Sequence, residues 1–91
     1  MATIRIPTPL RGYTGGNALV TVTGDNVAEA LADLTRQYPE LRGHLFDGDQ
    51  LRSFVNLYLG QDDIRYLNGQ ATPVGVTDTL LIVPSIAGGA A

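Results

Sequence analysis

The 91-residue sequence has no cysteine and only one histidine. The missing cysteine excludes disulfides, thiol nucleophiles and thiolate metal sites. The single histidine, His44, is predicted to lie in a loop beside Gly43, and any catalytic or metal site would have to rest on carboxylates. We therefore predict no catalytic residue, no metal and no cofactor bound by the chain itself, and hence a protein that is not an enzyme.

Lysine is absent as well. The six basic side chains are all arginines: Arg5, Arg11, Arg36, Arg42, Arg52 and Arg65. Apart from the amino terminus, the chain offers no amine that could attack an activated carbonyl carbon. If the chain carries an activated carboxyl group, it cannot conjugate that group to its own side chains.

Long apolar runs are missing too, so no segment predicts a membrane span. Residues 1–6 begin a strand at once and lack the charged and apolar regions of a signal peptide, which favours a cytoplasmic protein. The net charge of −3 and the pI near 4.7 provide no concentrated positive charge for nucleic acid. We expect neither a membrane nor a nucleic-acid partner, and a monomer when the protein is alone.

Acidic pairs and a glycine pair are the remaining candidate sites. Asp47-Gly48-Asp49 and Asp62-Asp63 have the carboxylates for weak calcium binding or an acid–base dyad. The first lacks the downstream glutamate of a calcium loop, and both are predicted at turns, where aspartate is common. Gly15-Gly16 is followed by neither a helix nor a lysine, so it is not a phosphate cradle. We interpret all three segments as turns.

Alternating apolar residues predict two strands at the start of the chain, over residues 3–7 and 17–23. The residues predicted to face inward are Ile4, Ile6, Val20 and Val22. A turn-rich link separates the two segments, which indicates an antiparallel hairpin with a long loop. Gly24-Asp25 ends the second strand.

A single amphipathic helix follows. Asn26 is a good N-cap, and Glu29, three residues later, completes a pattern that resembles a capping box. The apolar stripe at helical spacing consists of Val27, Ala30, Leu31, Leu34 and Tyr38. Pro39 and Gly43 end the pattern.

The rest of the chain predicts mainly strands. Residues 41–52 show no clear periodicity, residues 53–60 are rich in strand-forming residues, and residues 64–67 resemble a short edge strand before a turn at Asn68-Gly69. Residues 79–84 are apolar on both faces, as in a strand at the centre of a sheet.

This order of elements predicts an α+β protein with a β-grasp (ubiquitin-like) fold, in which a mixed sheet of about five strands packs on one main helix. The first and last strands would lie parallel at the centre of the sheet. We assign residues 1–84 to this body and residues 85–91 to a flexible C-terminal tail.

One face of the sheet has no second layer at this chain length. Apolar side chains there would form an exposed patch of the kind that binds partners. The residues predicted for this partner-binding patch are Phe54, Tyr58, Leu81, Val83 and Ile86. Arg5 and Arg65 would supply flanking charge.

The tail contains Gly88-Gly89 and offers almost no side chain for packing. Ordering two adjacent glycines has a high entropic cost, so this segment contributes little to a folded body. Seven extended residues, at roughly 3.3 Å each, reach about 20 Å or more from the body. We predict that Ala87, Gly88 and Gly89 thread through a narrow channel of another protein.

Together, these features resemble the ubiquitin-like sulfur carriers of the ThiS/MoaD family, in particular the CysO type of actinobacterial cysteine biosynthesis. The segments that carry the resemblance are Ile6-Pro7-Thr8, Leu10-Arg11, Thr14-Gly15-Gly16, Phe54-Val55-Asn56, Asp63-Ile64-Arg65-Tyr66, Gly69, Ala71-Thr72 and Ala87-Gly88-Gly89.

The resemblance implies a carrier that serves partner enzymes as a co-substrate. A ubiquitin-activating-like adenylyltransferase would use ATP to adenylate the carboxylate of Gly89, and sulfur would displace AMP to leave a thiocarboxylate. A sulfur-accepting synthase, such as a cysteine synthase, would then take the sulfur.

The sequence departs from the family pattern after Gly89, where Ala90-Ala91 follow. Adenylation of Gly89 requires their removal, and the resemblance implies a zinc-dependent JAMM-type metallopeptidase for that cleavage.

Two alternatives stay open at this stage. One is a ubiquitin-like modifier that forms isopeptide bonds with target lysines, and the other is the small subunit of a molybdopterin synthase. The client that receives the sulfur cannot be identified from the residues.

Overall fold

The computed structural model describes residues 2–48, 50–52 and 55–84. The strands in this part of the chain are β1 (Ala2–Arg5), β2 (Leu19–Val22), β3 (Phe46–Asp47), β4 (Gln50–Leu51), β5 (Val55–Leu59), β6 (Asp62–Asp63) and β7 (Thr79–Pro84). The α-helices are α1 (Val27–Gln37) and α2 (Arg42–Leu45). Short 3₁₀ helices lie at Thr8–Tyr13, Pro39–Leu41, Ile64–Tyr66 and Gly69–Ala71.

The main sheet has five strands in the order β2-β1-β7-β5-β6. The hairpin β1–β2 is antiparallel, β1 and β7 are parallel, and β5 pairs antiparallel with both β7 and β6. This confirms the predicted mixed sheet with the first and last strands parallel at its centre. The strand β7 lies between β1 and β5, the central position that the apolar residues 79–84 predict.

The helix α1 begins where the sequence predicts. The Asn26 side chain accepts a hydrogen bond of 2.8 Å from the Glu29 backbone N–H, which satisfies one of the free donors at the helix start. The Glu29 carboxylate accepts from the backbone N–H of Asp25 at 2.8 Å, one residue earlier than in a standard capping box. Together, these two bonds connect the first turn of α1 to the residues that precede the helix.

The hydrophobic core lies between α1 and one face of the sheet. This confirms the prediction that the sheet packs on one main helix. All four residues predicted to face inward from the first hairpin are buried, as are Leu31 and Leu34 of α1. Leu57, Leu80 and Ile82 close the core from the central strands, each with at most 1% of its surface exposed. Burial of such side chains stabilises the fold by about 1.5–3 kcal/mol each.

Residues 41–52 are more regular than the sequence indicates. They form α2 and a two-stranded hairpin in which Phe46 pairs with Leu51 and Asp47 with Gln50. Leu41 and Leu45 are fully buried, so this segment covers one end of the core. Elements this short leave little periodicity to detect.

The predicted edge strand at residues 64–67 is wrong. The edge strand β6 is Asp62–Asp63, which pairs with Leu59 and Tyr58, and a 3₁₀ helix follows at Ile64–Tyr66. The Asp63 side chain accepts a hydrogen bond of 2.9 Å from the Arg65 backbone N–H and so caps that helix. The two aspartates therefore lie in a paired strand rather than at a turn.

Candidate partner-binding face

The face of the sheet opposite α1 carries the predicted patch. Tyr58 of β5 lies opposite Leu81 of β7, and Asn56 lies opposite Val83 one step further along the same pair of strands. Successive side chains of a strand alternate between faces, and the neighbours Leu57 and Ile82 point into the core. These four side chains therefore point away from the helix.

The described part of the patch is accessible to a partner. Val83 exposes 37% of its surface, and Tyr58 and Leu81 are half-buried. The structure thus brings three of the five predicted patch residues together. The other two, Phe54 and Ile86, lie outside the described residues, as do Ala87, Gly88, Gly89, Ala90 and Ala91 of the predicted tail. The division between a body and a tail stays a prediction.

The same face extends across the sheet beyond the five predicted patch residues. Arg5 of β1 is in register with Leu81 on one side and with Leu19 of β2 on the other. Leu19 is 58% exposed. The alternation that places Val20 and Val22 inward also places Leu19 outward, so that pattern would have identified it.

Arg65 borders the patch at the opposite side and is held in place. Its Nη2 donates to Asp63 Oδ2 at 3.1 Å and to Asn56 Oδ1, and its Nε donates to Asp63 Oδ1 at 3.3 Å. The backbone and guanidinium donors of Arg65 lower the pKa of the Asp63 carboxyl below its ordinary value. The Arg65 side chain nevertheless remains 59% exposed. It is therefore held in place by these bonds and is still accessible to a partner.

The Thr14-Gly15-Gly16 segment closes the loop between β1 and β2. The buried Thr14 hydroxyl donates to the Asn17 carbonyl oxygen at 2.8 Å, and the Asn17 side chain donates back to the Thr14 carbonyl oxygen at 2.9 Å. Gly15 and Gly16 have φ angles of 64° and 85°, which glycine adopts without strain. The segment is a turn, in agreement with the sequence analysis.

His44 lies in α2 rather than in a loop. Its ring packs against the Tyr13 ring, with 4.2 Å between the two ring centroids. This contact joins α2 to the 3₁₀ helix at Thr8–Tyr13. Within residues 2–48, 50–52 and 55–84, no three His, Asp or Glu side chains group closely enough to hold a metal ion.

A cavity of about 310 Å³ lies beside β5, where Leu51, Leu57 and Ile64 contribute apolar lining. Asp63 and Arg65 also line it, and these two groups are already bonded to each other.

None of the helices in the described part of the chain has the length and hydropathy needed to cross a membrane.

Curated relatives share this sequence over nearly its full length. The sulfur carrier protein CysO of Mycobacterium tuberculosis is 37% identical over 90 residues, which cover 96% of this chain and 97% of the relative. The same protein of Mycobacterium bovis matches equally well.

Solved structures share the fold. CysO of Amycolatopsis orientalis, in its complex with BexX, matches with a TM-score of 0.90 and 35% identity, covering 98% of this chain and 100% of that one. CysO of M. tuberculosis matches with a TM-score of 0.86 and 34% identity, over 94% of this chain and 100% of the other. Small archaeal modifier protein 1 of Methanosarcina acetivorans matches with a TM-score of 0.86 and 27% identity, over 97% and 95%.

The sequence profile of the ThiS family matches residues 4–89, from the first strand through the second glycine of the Gly88-Gly89 pair. The match includes the body with its outward face as well as the glycine pair at which the sequence analysis predicted the reactive end. The predicted β-grasp fold and the resemblance to ThiS/MoaD carriers of the CysO type are therefore confirmed, and this chain belongs to the ThiS family.

Proposed function

We propose that this ThiS-family protein is a sulfur carrier that holds sulfur as a thiocarboxylate on the main-chain carbonyl carbon of Gly89. The observation that carries the proposal is the extent of the family match, which covers the body and ends at Gly89. The near full-length similarity to CysO sulfur carriers supports the same role. The chain acts as a co-substrate, and the bond-forming chemistry belongs to its partner enzymes.

The loading chemistry follows from the leaving group. A carboxylate does not exchange oxygen for sulfur readily because hydroxide leaves poorly. A ubiquitin-activating-like adenylyltransferase would let the Gly89 carboxylate attack the α-phosphorus of ATP and release pyrophosphate. Sulfide then attacks the acyl carbon, AMP departs with the electrons of the broken C–O bond, and the thiocarboxylate remains on Gly89. ATP is a substrate of the partner and needs no site on this chain.

Loading requires a free carboxylate on Gly89, and in this sequence Ala90-Ala91 follow it. We propose that a JAMM-type metallopeptidase cleaves the Gly89–Ala90 bond first. The end of the family match at Gly89 supports this position for the cleavage.

The outward face of the sheet gives the partners a surface to bind. Leu81 and Val83 belong to β7, whose last residue, Pro84, is in register with Val55. Five residues follow Pro84 up to Gly89, and an extended segment of that length reaches about 17 Å. A partner docked on this face therefore has the acyl carbon within reach of its active site.

We further propose that the loaded carrier delivers its sulfur in the cytoplasm to a synthase that accepts thiocarboxylates, such as a cysteine synthase. The complex of A. orientalis CysO with BexX supports such a transfer between a carrier and a second protein. The identity of the final product depends on that synthase.

A second candidate is a protein modifier that forms isopeptide bonds through Gly89. The similarity to small archaeal modifier protein 1, at 27% identity, favours it over a role confined to one fixed complex. The two roles use the same activated Gly89 and differ in the acceptor, which is sulfur for the carrier and a lysine amine for the modifier.

Mass spectrometry separates these functions. The chain truncated after Gly89 is incubated with ATP, sulfide and the adenylyltransferase of the source organism. A carrier gains the mass difference between sulfur and oxygen, whereas a modifier incubated with cell extract appears in adducts of higher mass. The full chain, which retains Ala90-Ala91, is the control and is expected to stay unloaded until a JAMM-type peptidase removes the two alanines.

A further inference from the structure

Two guanidinium groups border the apolar patch on opposite sides. Arg5, at the end of β1, is exposed and in register with Leu81, which itself lies opposite Tyr58. Arg65 lies beyond Tyr58 and is bonded to Asp63, the residue opposite Tyr58 on β6. Because neighbouring strands are about 4.8 Å apart, the two cations are separated by roughly 10–15 Å, with the apolar patch between them.

The charge of this face is opposite in sign to that of the whole chain. The chain has a net charge of −3. Across the five strands of the sheet, Asp63 is the one outward-facing carboxylate among the described residues, and its side chain is 10% exposed against 59% for Arg65. Among the described residues, the outward positions of the strands therefore present more exposed cationic than anionic side chain to solvent.

Arg65 is already arranged for recognition. Its Nε and Nη2 are engaged by Asp63 and Asn56, and its Nη1 makes no hydrogen bond to the described residues. A guanidinium held in one orientation loses little further entropy when it binds a carboxylate, and its planar array of donors favours that geometry. Asp63 and Asn56 act here as positioning residues for Arg65.

We propose that the outward face binds the activating enzyme through an apolar surface of that enzyme flanked by two carboxylate side chains, one for each of Arg5 and Arg65. The inference deepens the proposed function and rests on it. Complementary charge at the border of an interface accelerates the encounter and fixes the orientation, whereas the apolar centre determines how long the complex lasts. The acidic chain is thus steered onto its partner by the two arginines of this face.

The test is the salt dependence of association between the full 91-residue chain and the adenylyltransferase of the source organism. Arg5→Gln and Arg65→Gln are each expected to slow association several-fold at low ionic strength, and the double variant about tenfold or more. The differences shrink as salt is raised, because screening removes the steering. Arg65→Lys keeps the charge and is expected to associate at the native rate but to dissociate faster.

Arg36→Gln is the matched control. Arg36 lies on α1, on the other side of the sheet, and is bonded to Asp33 much as Arg65 is bonded to Asp63. This variant changes the net charge by the same amount and breaks a comparable ion pair. Association at the native rate in Arg36→Gln supports the proposal, whereas an equal loss in Arg36→Gln and Arg65→Gln would overturn it, because net charge alone would then explain the effect.

Failure of the inference is distinguishable from failure of the proposed function. If replacing Tyr58 and Leu81 weakens binding while the double arginine variant associates normally at every salt concentration, the face binds without charge recognition and the inference is wrong. If the native chain truncated after Gly89 is never loaded by the activating enzyme, the proposed function is wrong. Thermal unfolding of each variant verifies that it is folded.

Discussion

Tyr58 and Leu81 lie directly opposite each other across the central antiparallel pair β5–β7, on the face of the sheet that α1 leaves uncovered. Both residues are half-buried. The pair is in register with Arg5 on one side and with Asp63 on the other. A single row of side chains therefore crosses β1, β7, β5 and β6. It has the apolar pair in the middle and a charged residue at each end.

Replacing this pair is expected to weaken partner binding while leaving the fold intact. Tyr58→Thr and Leu81→Thr remove apolar area but keep residues that suit a strand. We expect the double variant to bind the activating enzyme at least tenfold more weakly, which corresponds to about 1.4 kcal/mol or more. Val76→Thr is the control, because Val76 is an apolar residue that is 74% exposed in a loop outside the patch. Equal affinity of the double variant and the native chain, measured by calorimetry, would exclude the patch as the interface.

Gly24 is expected to tolerate no side chain. Its φ angle is 141°, and a Cβ atom there would lie 2.7 Å from Glu29 Cβ and 2.8 Å from the Ala30 backbone nitrogen. Gly24→Ala therefore strains the junction of β2 and α1 and is expected to lower the free energy of unfolding by about 2 kcal/mol or more. Gly12→Ala is the matched control, since nothing lies within 4 Å of that position. Urea unfolding measures both, and similar midpoints for the two variants would contradict the prediction.

The N-cap of α1 makes a separable contribution to stability. Asn26→Ala removes the 2.8 Å bond to the Glu29 backbone N–H and is expected to cost about 1 kcal/mol. Asn68 precedes the 3₁₀ helix at Gly69–Ala71 without a side-chain capping bond, so Asn68→Ala is expected to have a much smaller effect. Chemical denaturation compares the two, and an equal loss of stability would show that the capping bond is not the cause.

The Asp63–Arg65 contact predicts a dependence of stability on pH. The bonds from Arg65 lower the pKa of Asp63, so the ionised carboxylate stabilises the folded state above the ordinary carboxyl pKa near 4, and that contribution is lost as the pH falls through the lowered value. The destabilisation caused by Asp63→Asn should therefore be present at pH 7 and vanish well below about pH 4. Asp62→Asn removes the neighbouring carboxylate of the same strand and is the control, and thermal unfolding is measured for both variants. A difference between Asp63→Asn and the native chain that persists at low pH would contradict this account.

Regular elements with strong periodicity were predictable from the sequence. The strand at Thr79–Pro84, the inward residues of the first hairpin and the start of the helix at Asn26 all follow from alternation, helical spacing and capping chemistry. The parallel pairing of β1 with β7 followed from the order of elements, because a β-grasp sheet places its first and last strands together. Local pattern and topology agreed at each of these positions.

Short elements and contacts between distant side chains were not predictable. A strand was predicted at residues 64–67 because the local residue pattern does not reveal that Asp63 caps a 3₁₀ helix there. The bond from Arg65 to Asn56 joins two elements whose relative position depends on the packing of Ile64 into the core. Leu19 was not among the predicted patch residues, although alternation places it outward, because the patch was predicted only from the strands at residues 53–60 and 79–84.

The loading of Gly89 is the most direct test of the account as a whole. The chain truncated after Gly89 is incubated with ATP, sulfide and the activating enzyme, and its intact mass is recorded. We expect the replacement of one oxygen by sulfur at the carboxyl terminus, and no such change without ATP or in the chain that retains Ala90-Ala91. If the truncated chain keeps its original mass with an enzyme that is active on its own carrier, this protein does not carry sulfur on Gly89.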